Sequence, residues 1–216
     1  MLVWALIVPA VAAAGWFGYQ ALAGRRVSQE TDRLAEVLAL GPTSRVADVG
    51  AGGGAFSLEM ASRIVPKGHV FATEIDDDAV ADIRAAVSTA GLENVTVSRA
   101  AEASANLPTA CCDAIFLRDV YHHITKPAET NRSVRDALRP HGRLAIIDFV
   151  PSWFLSTFFR VPGVLPNRGG HGIPPGIVVS EMQHAGLKLI DRLDEWTRGQ
   201  YCLVFQKLES ESAGFP

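Results

Sequence analysis

The chain has 216 residues and a mass of 23.2 kDa, with 20 basic and 23 acidic side chains, a formal charge of −3 and 48% hydrophobic residues. These values fit one globular domain of ordinary size and exclude a disordered, collagen-like or polytopic membrane chain. A pI near 6.1 argues against a nucleic-acid binder held by phosphate contacts, so nucleic acid is not an expected partner.

The apolar residues are unevenly spread. Residues 1–24, MLVWALIVPAVAAAGWFGYQALAG, carry no charge, and the first charged residue is Arg25. As a helix rising 1.5 Å per residue they would extend about 36 Å, more than a hydrocarbon core of about 30 Å. Pro9, Gly15 and Gly18 are tolerated in a membrane helix, and Trp16 and Tyr19 suit an interface. The small residues Ala12, Ala13 and Ala14 raise the alternative of a cleaved signal peptide, but the basic start and short apolar core it requires are missing. Residues 1–24 are therefore expected to be a single-pass transmembrane anchor. Arg25-Arg26 follows directly and places the rest of the chain on the cytoplasmic side. Residues 25–42 are expected as a linker with an N-terminal helix, 43–208 as the folded domain and 209–216 as a tail.

Cys111, Cys112 and Cys202 are odd in number and lack framework spacing, which disfavours a disulfide scaffold and leaves the adjacent pair as small apolar filler beside a strand. From about Val27 to Leu40 the pattern predicts a helix stopped by Gly41-Pro42. RVADVG (45–50) predicts a buried strand, and a helix follows from Gly54 to Val65. HVFATE (69–74) is a second strand, and residues 76–90 form a helix closed by Gly91. Strands are expected at 94–98 and 113–119, a helix at 127–138 and a fifth strand at RLAIIDF (143–149). A Pro/Gly-rich stretch, 151–176, leads into a helix ending at Ala185. LKLIDRL (187–193) and QYCLVFQKL (200–208) close the domain. Strands alternating with helices predict an α/β fold: a doubly wound, mostly parallel seven-stranded sheet, helices on both faces, and a final strand entering antiparallel as a hairpin.

The sharpest motif is VADVGAGGGAF (46–56). Strand, Asp48-x-Gly50-x-Gly52-x-Gly54, then helix lets backbone approach a ligand where a Cβ would collide. The glycines alone are ambiguous, because Gly50-x-Gly52-x-x-Ala55 also satisfies a dinucleotide fingerprint. Glu74, ending the second strand, can hold a ribose diol in either case. Asp48 lies inside the strand, where hydride-transferring enzymes place an apolar residue. LPTACCDAIFLRDVYHHI (107–124) sets Asp113 at the start of a strand and a polar cluster at its end, and RSVRDALRPHGRLAIIDF (132–149) precedes the closing hairpin.

With these motifs in this order, the sequence resembles the class I S-adenosyl-L-methionine-dependent methyltransferases over about residues 40–208. The resemblance implies S-adenosyl-L-methionine as cofactor and a small-molecule methyl acceptor. It implies that Gly50, Ala51, Gly52 and Gly54 form the loop beneath the methionine and ribose, with Asp48 facing the amino group and sulfonium. Glu74 would bind the ribose hydroxyls, with Ile75 beside the adenine. The stretch 101–107 would approach the adenine amino group. There Ser104 and Asn106 stand where Asp is common, and Glu102 is the nearby carboxylate. Arg118 and Asp119 would flank the cofactor. His141 departs from the usual Gly-Gly and is tolerable if its φ is negative.

Methyl transfer needs alignment and, for some acceptors, removal of a proton. Tyr121, His122 and His123 follow the fourth strand at the edge where open α/β sheets bind ligands, and they are the catalytic candidates. His171 is more simply a loop residue. No metal site is expected, since the histidines lack an accompanying carboxylate arrangement. PSWFLSTFFRVPGVLP (151–166) reads as a lid, an interfacial patch or ordinary packing. Lid and anchor together point to a hydrophobic acceptor. The alternatives are an NAD(P)-dependent oxidoreductase and a non-catalytic, membrane-associated cofactor-binding protein.

Overall fold

The computed structural model describes residues 22–151 and 172–208. Most of residues 1–24, expected as an anchor, most of the 151–166 stretch, His171 and the C-terminal tail lie outside the described residues. Helix α1 covers residues 22–37 without a break at Arg25, so the change in composition there is not a structural boundary. Among the described residues, no helix is long and apolar enough to cross a membrane.

Seven strands form one sheet in the order β3-β2-β1-β4-β5-β7-β6. Their spans are β1 Arg45–Val49, β2 His69–Glu74, β3 Val95–Arg99, β4 Cys112–Arg118, β5 Leu138–Phe149, β6 Leu187–Leu193 and β7 Gln200–Lys207. Strands β1 to β5 pair in parallel, while β7 runs antiparallel to both β5 and β6. The expected hairpin is therefore present, with its second arm inserted inside the sheet. The helices are α2 Ala55–Arg63, α3 Asp77–Thr89, α4 Pro127–Ala137 and α5 Pro175–His184.

Period-two alternation along the buried strands sends successive residues to opposite faces. Ile115, Leu117, Leu144, Ile146, Leu203 and Phe205 pack with α4 and α5 through Val134, Ala137, Val178 and Met182. Ala114, Phe116, Ala145, Ile147, Cys202 and Val204 pack on the other face with Leu34 and Leu38 of α1 and Met60 of α2. The three cysteines are buried and free, and Cys111 and Cys112 pack in the core as the filler they were expected to be. Asp113 ties strand starts together: its carboxylate accepts the Arg45 N–H at 2.8 Å and pairs with Arg139 at 2.6 Å.

Two local expectations need correction. Strand β5 begins at Leu138 rather than Arg143, because Leu138 already pairs with Cys112 of β4, and the polar residues 139–141 form an irregularity before regular pairing resumes at Arg143. His141 has φ 62°, not a negative value. This left-handed turn just before Gly142 is one that histidine visits more often than most non-glycine residues, at a modest backbone cost.

Candidate active site

The sheet reverses strand order between β1 and β4, and open α/β folds place ligands at the carboxyl ends of the strands at such a point. There the chain leaves β1 through Gly50, Gly52 and Gly54, with φ of 76°, 53° and 77°. Left-handed backbone of this kind costs a side-chain-bearing residue about 1–2 kcal/mol. The N–H groups of Gly50 and Ala51 both donate to the Thr73 carbonyl, at 2.8 and 3.0 Å, folding the loop back over β2. Gly54 caps α2. A Cβ on Gly50 would lie 2.5 Å from the Val120 side chain, whereas one on Gly52 would meet nothing within 4 Å.

Glu74 faces this loop from the end of β2. Its two carboxylate oxygens accept the Gly52 N–H at 2.8 Å and the Ile75 N–H at 2.7 Å. The cleft so formed has a volume of about 460 Å³ and is lined by Asp48, Gly50, Ala51, Gly52, Phe56, Glu74, Ile75, Arg118, Asp119, Val120 and His123. That is within the range of small-molecule sites. A neighbouring pocket of about 140 Å³ continues past Ile75 to Ala101, Glu102, Ser104, Ile124 and Thr130. The Thr130 hydroxyl is buried there without a hydrogen-bond partner among the described residues, while Ile75 leaves half its surface exposed. An apolar wall with an orphaned hydroxyl behind it fits a flat, polar-edged ring. The glycine cradle and Glu74 fit a ribose beside it.

Asp48 is buried at the floor of the cleft and accepts a 2.6 Å hydrogen bond from the Ser57 hydroxyl. Burial pushes its carboxyl up to about 7, opposed by the Ser57 bond and reinforced by the charge of Glu74. Arg118 reaches across from β4. It donates to both oxygens of Glu30 in α1, at 2.8 and 3.1 Å, pairs with Asp119 at 2.7 Å, and lies 4.7 Å from the Phe56 ring centre. Asp119, at φ 56°, also accepts from the Gln200 side chain. Glu102 sits at the rim, bonded to Thr125 and to Lys126, and its ammonium partner holds the carboxyl below its usual range. Asn106 instead donates to the Arg99 carbonyl and lies outside the cleft lining.

Of the three residues proposed for proton chemistry, the structure brings His123 alone into the cleft. Burial, then the neighbouring His122, lower its pKa below the ordinary imidazole value. His122 is buried with its Nδ1 2.8 Å from the Asp148 carboxylate, and its ring stacks 4.1 Å from His123. Tyr121 is fully buried; its hydroxyl donates to Glu181 at 2.6 Å and accepts from the Asn131 side chain at 2.8 Å. Both point into the core, because the short 3₁₀ turn Tyr121–His123 turns successive side chains in different directions. Sequence reasoning missed Asp148, Glu30 and Phe56. An acid inside the apolar run of β5 is the signal that marks Asp148. Glu30 and Phe56 carry no comparable mark. Among the described residues, no cluster of His, Cys, Asp or Glu could hold a metal.

Residues 40–165 match the model of a family described as methyltransferase domain. The chain belongs to the methyltransferase domain family. Solved structures share the fold of this methyltransferase domain at low identity. A SAM-dependent methyltransferase from Aquifex aeolicus superposes with a TM-score of 0.69 at 22% identity, over 82% of this chain and 89% of its own. A geranyl diphosphate methyltransferase solved in complex with SAM gives 0.67 at 12%, over 84% and 85%. The [4+2]-cyclase SpnF gives 0.67 at 17%, over 84% and 80%. A methyltransferase-type fold thus also carries a protein named for a different reaction, and the acceptor chemistry has to be argued from the site.

Proposed function

We propose that this methyltransferase domain uses S-adenosyl-L-methionine to methylate a small hydrophobic acceptor, and that residues 1–24 hold it at a membrane with the domain on the cytoplasmic side. The observation that carries the reading is the left-handed glycine loop, pinned through Gly52 to Glu74 at the mouth of the cleft. The family match and the SAM-bound neighbour support it. The alternative of an NAD(P)-dependent oxidoreductase fits less well. Dinucleotide folds have the all-parallel order 3-2-1-4-5-6, whereas here antiparallel β7 separates β5 from β6.

When bound, the cofactor would supply an electrophilic methyl on a sulfonium, which an acceptor atom could take while the carbon–sulfur pair stays on sulfur and any acceptor proton is released. Glu74, whose oxygens keep a lone pair each beyond the bonds to Gly52 and Ile75, would hold the ribose hydroxyls, and Ile75 and Val120 would cover the base. Glu102 and the Thr130 hydroxyl take its polar edge. Asp48, ionised, faces the cationic end. His123, uncharged near pH 7 because its pKa is depressed, has a lone pair free to accept the acceptor's proton. His122, fixed by Asp148, and Tyr121, fixed by Glu181, position that turn.

Titration of the full chain with S-adenosylhomocysteine and separately with NAD tests the cofactor. Glu74→Ala should weaken S-adenosylhomocysteine binding at least tenfold, since charge-assisted bonds to the diol are lost; unchanged affinity removes the ribose assignment. Membrane attachment predicts release by detergent but not by alkaline carbonate.

A further inference from the structure

A second cavity, of about 490 Å³, opens between α1, the end of β4 and the link joining β6 to β7. It shares Phe56 and Arg118 with the cofactor cleft. Its walls carry four arginines, Arg26, Arg33, Arg118 and Arg198, against a single acid, Glu30. In a molecule of net charge −3, such a concentration of positive charge needs an explanation.

Internal pairing does not provide it. The two oxygens of Glu30 already receive Arg118 at 2.8 and 3.1 Å and the Trp196 indole N–H at 2.9 Å. Arg26 lies one helical turn before Glu30, the usual spacing for an ion pair, yet finds that carboxylate taken. Arg33 is occupied with Trp196, donating to its carbonyl and stacking 4.1 Å from its ring centre. Arg26 and Arg198 thus have no carboxylate partner among the described residues. Arg198 also sits at φ 51°, where a side-chain-bearing residue is strained and glycine is not. Of the remaining wall, Leu22, half-exposed, with Ala23, Val27 and Phe56 is apolar, and Gln29 and Thr197 are polar but uncharged.

We infer that this cavity is the acceptor site and that the acceptor is an amphipathic anion: an apolar body against Leu22, Val27 and Phe56, with a carboxylate or phosphate group held by Arg26 and Arg198. This rests on the methyltransferase reading and adds the acceptor's charge to it. Guanidinium groups suit both anions because their paired N–H groups match two oxygens at once. Phe56 and Arg118 line both cavities, so the acceptor site adjoins the cofactor cleft there, and the reacting end of the acceptor reaches past these two side chains toward the methyl group and His123.

The full chain, saturated with S-adenosylhomocysteine, is titrated with octyl phosphate, octanoate, octanol, octyltrimethylammonium and inorganic phosphate. Octyl phosphate and octanoate should bind at least tenfold more tightly than octanol, octyltrimethylammonium and inorganic phosphate. Arg26→Gln with Arg198→Gln should abolish that preference while S-adenosylhomocysteine affinity stays unchanged. Equal binding of octanol, a preference that survives the double variant, or no binding of any octyl probe overturns the inference. So does a double variant that alters only adhesion to phosphatidylglycerol vesicles, which would assign the arginines to a membrane surface. Failure of the wild-type chain to bind S-adenosylhomocysteine overturns the methyltransferase reading instead.

Discussion

Asp48 is the residue whose environment most changes its chemistry. An ordinary aspartate ionises near 3.8, and burial raises this one to about 7. The folded state therefore holds its proton more tightly than the unfolded state, and its contribution to stability falls as pH rises from about 4 to 7. A ligand with a cationic group beside it favours the ionised form. Cofactor affinity should accordingly rise between pH 5.5 and 8, with a proton released on binding at pH 6 and little released at pH 8.5. Calorimetry in buffers of different ionisation enthalpy checks this directly. Asp48→Asn should flatten the pH dependence, weaken binding, and stabilise the cofactor-free fold at pH 8 by on the order of a few kcal/mol. The importance of Asp48 was legible from its place inside an apolar strand. Its hydrogen bond to Ser57 was not, since that depends on how α2 settles over β1. Long-range partners were hidden for the same reason: Asp148 meets His122 across 26 residues and Glu30 meets Arg118 across 88, distances that no local spacing encodes.

At the scale of elements, the loop between β1 and α2 separates two roles that its glycines share in sequence. Gly50 is packed against Val120, while Gly52 faces open space. Gly50→Ala combines backbone strain with a clash and should cost about 2–4 kcal/mol, lowering Tm by several degrees. Gly52→Ala should cost only about 1–2 kcal/mol yet weaken S-adenosylhomocysteine binding more than its stability loss suggests. Thermal unfolding with and without ligand distinguishes the two. Elements dominated by burial were legible: β1 and β2 stand where their apolar runs predict, and β6, largely exposed, stands where its turn-bounded run predicts. The helical state of residues 22–26 was not, because Arg25 marks a change of composition inside a continuous helix. Nor was the start of β5, where Arg139, Pro140 and His141 offer no apolar alternation.

For the whole molecule, the sequence order of the sheet differs from its spatial order. β7 is made last of the seven strands but lies inside the sheet, with β5 on one side and β6 on the other. Its first six residues are buried. Until residues 200–207 emerge from a ribosome, β5 and β6 would each present an unpaired edge, the feature most prone to pair with other chains. A chain stopped after Gly199 should therefore resist detergent extraction as an aggregate, whereas one stopped after Leu208 should be extracted to the same extent as the full chain; sedimentation of the detergent extract compares them. At about 5–20 residues per second, synthesis of the span from β5 to β7 leaves several seconds in which β5 has been made without its antiparallel neighbour. The hairpin thus places quality control at the end of translation: a message cut short by only a few codons before β7 yields a chain that cannot close its sheet, however complete its cofactor loop.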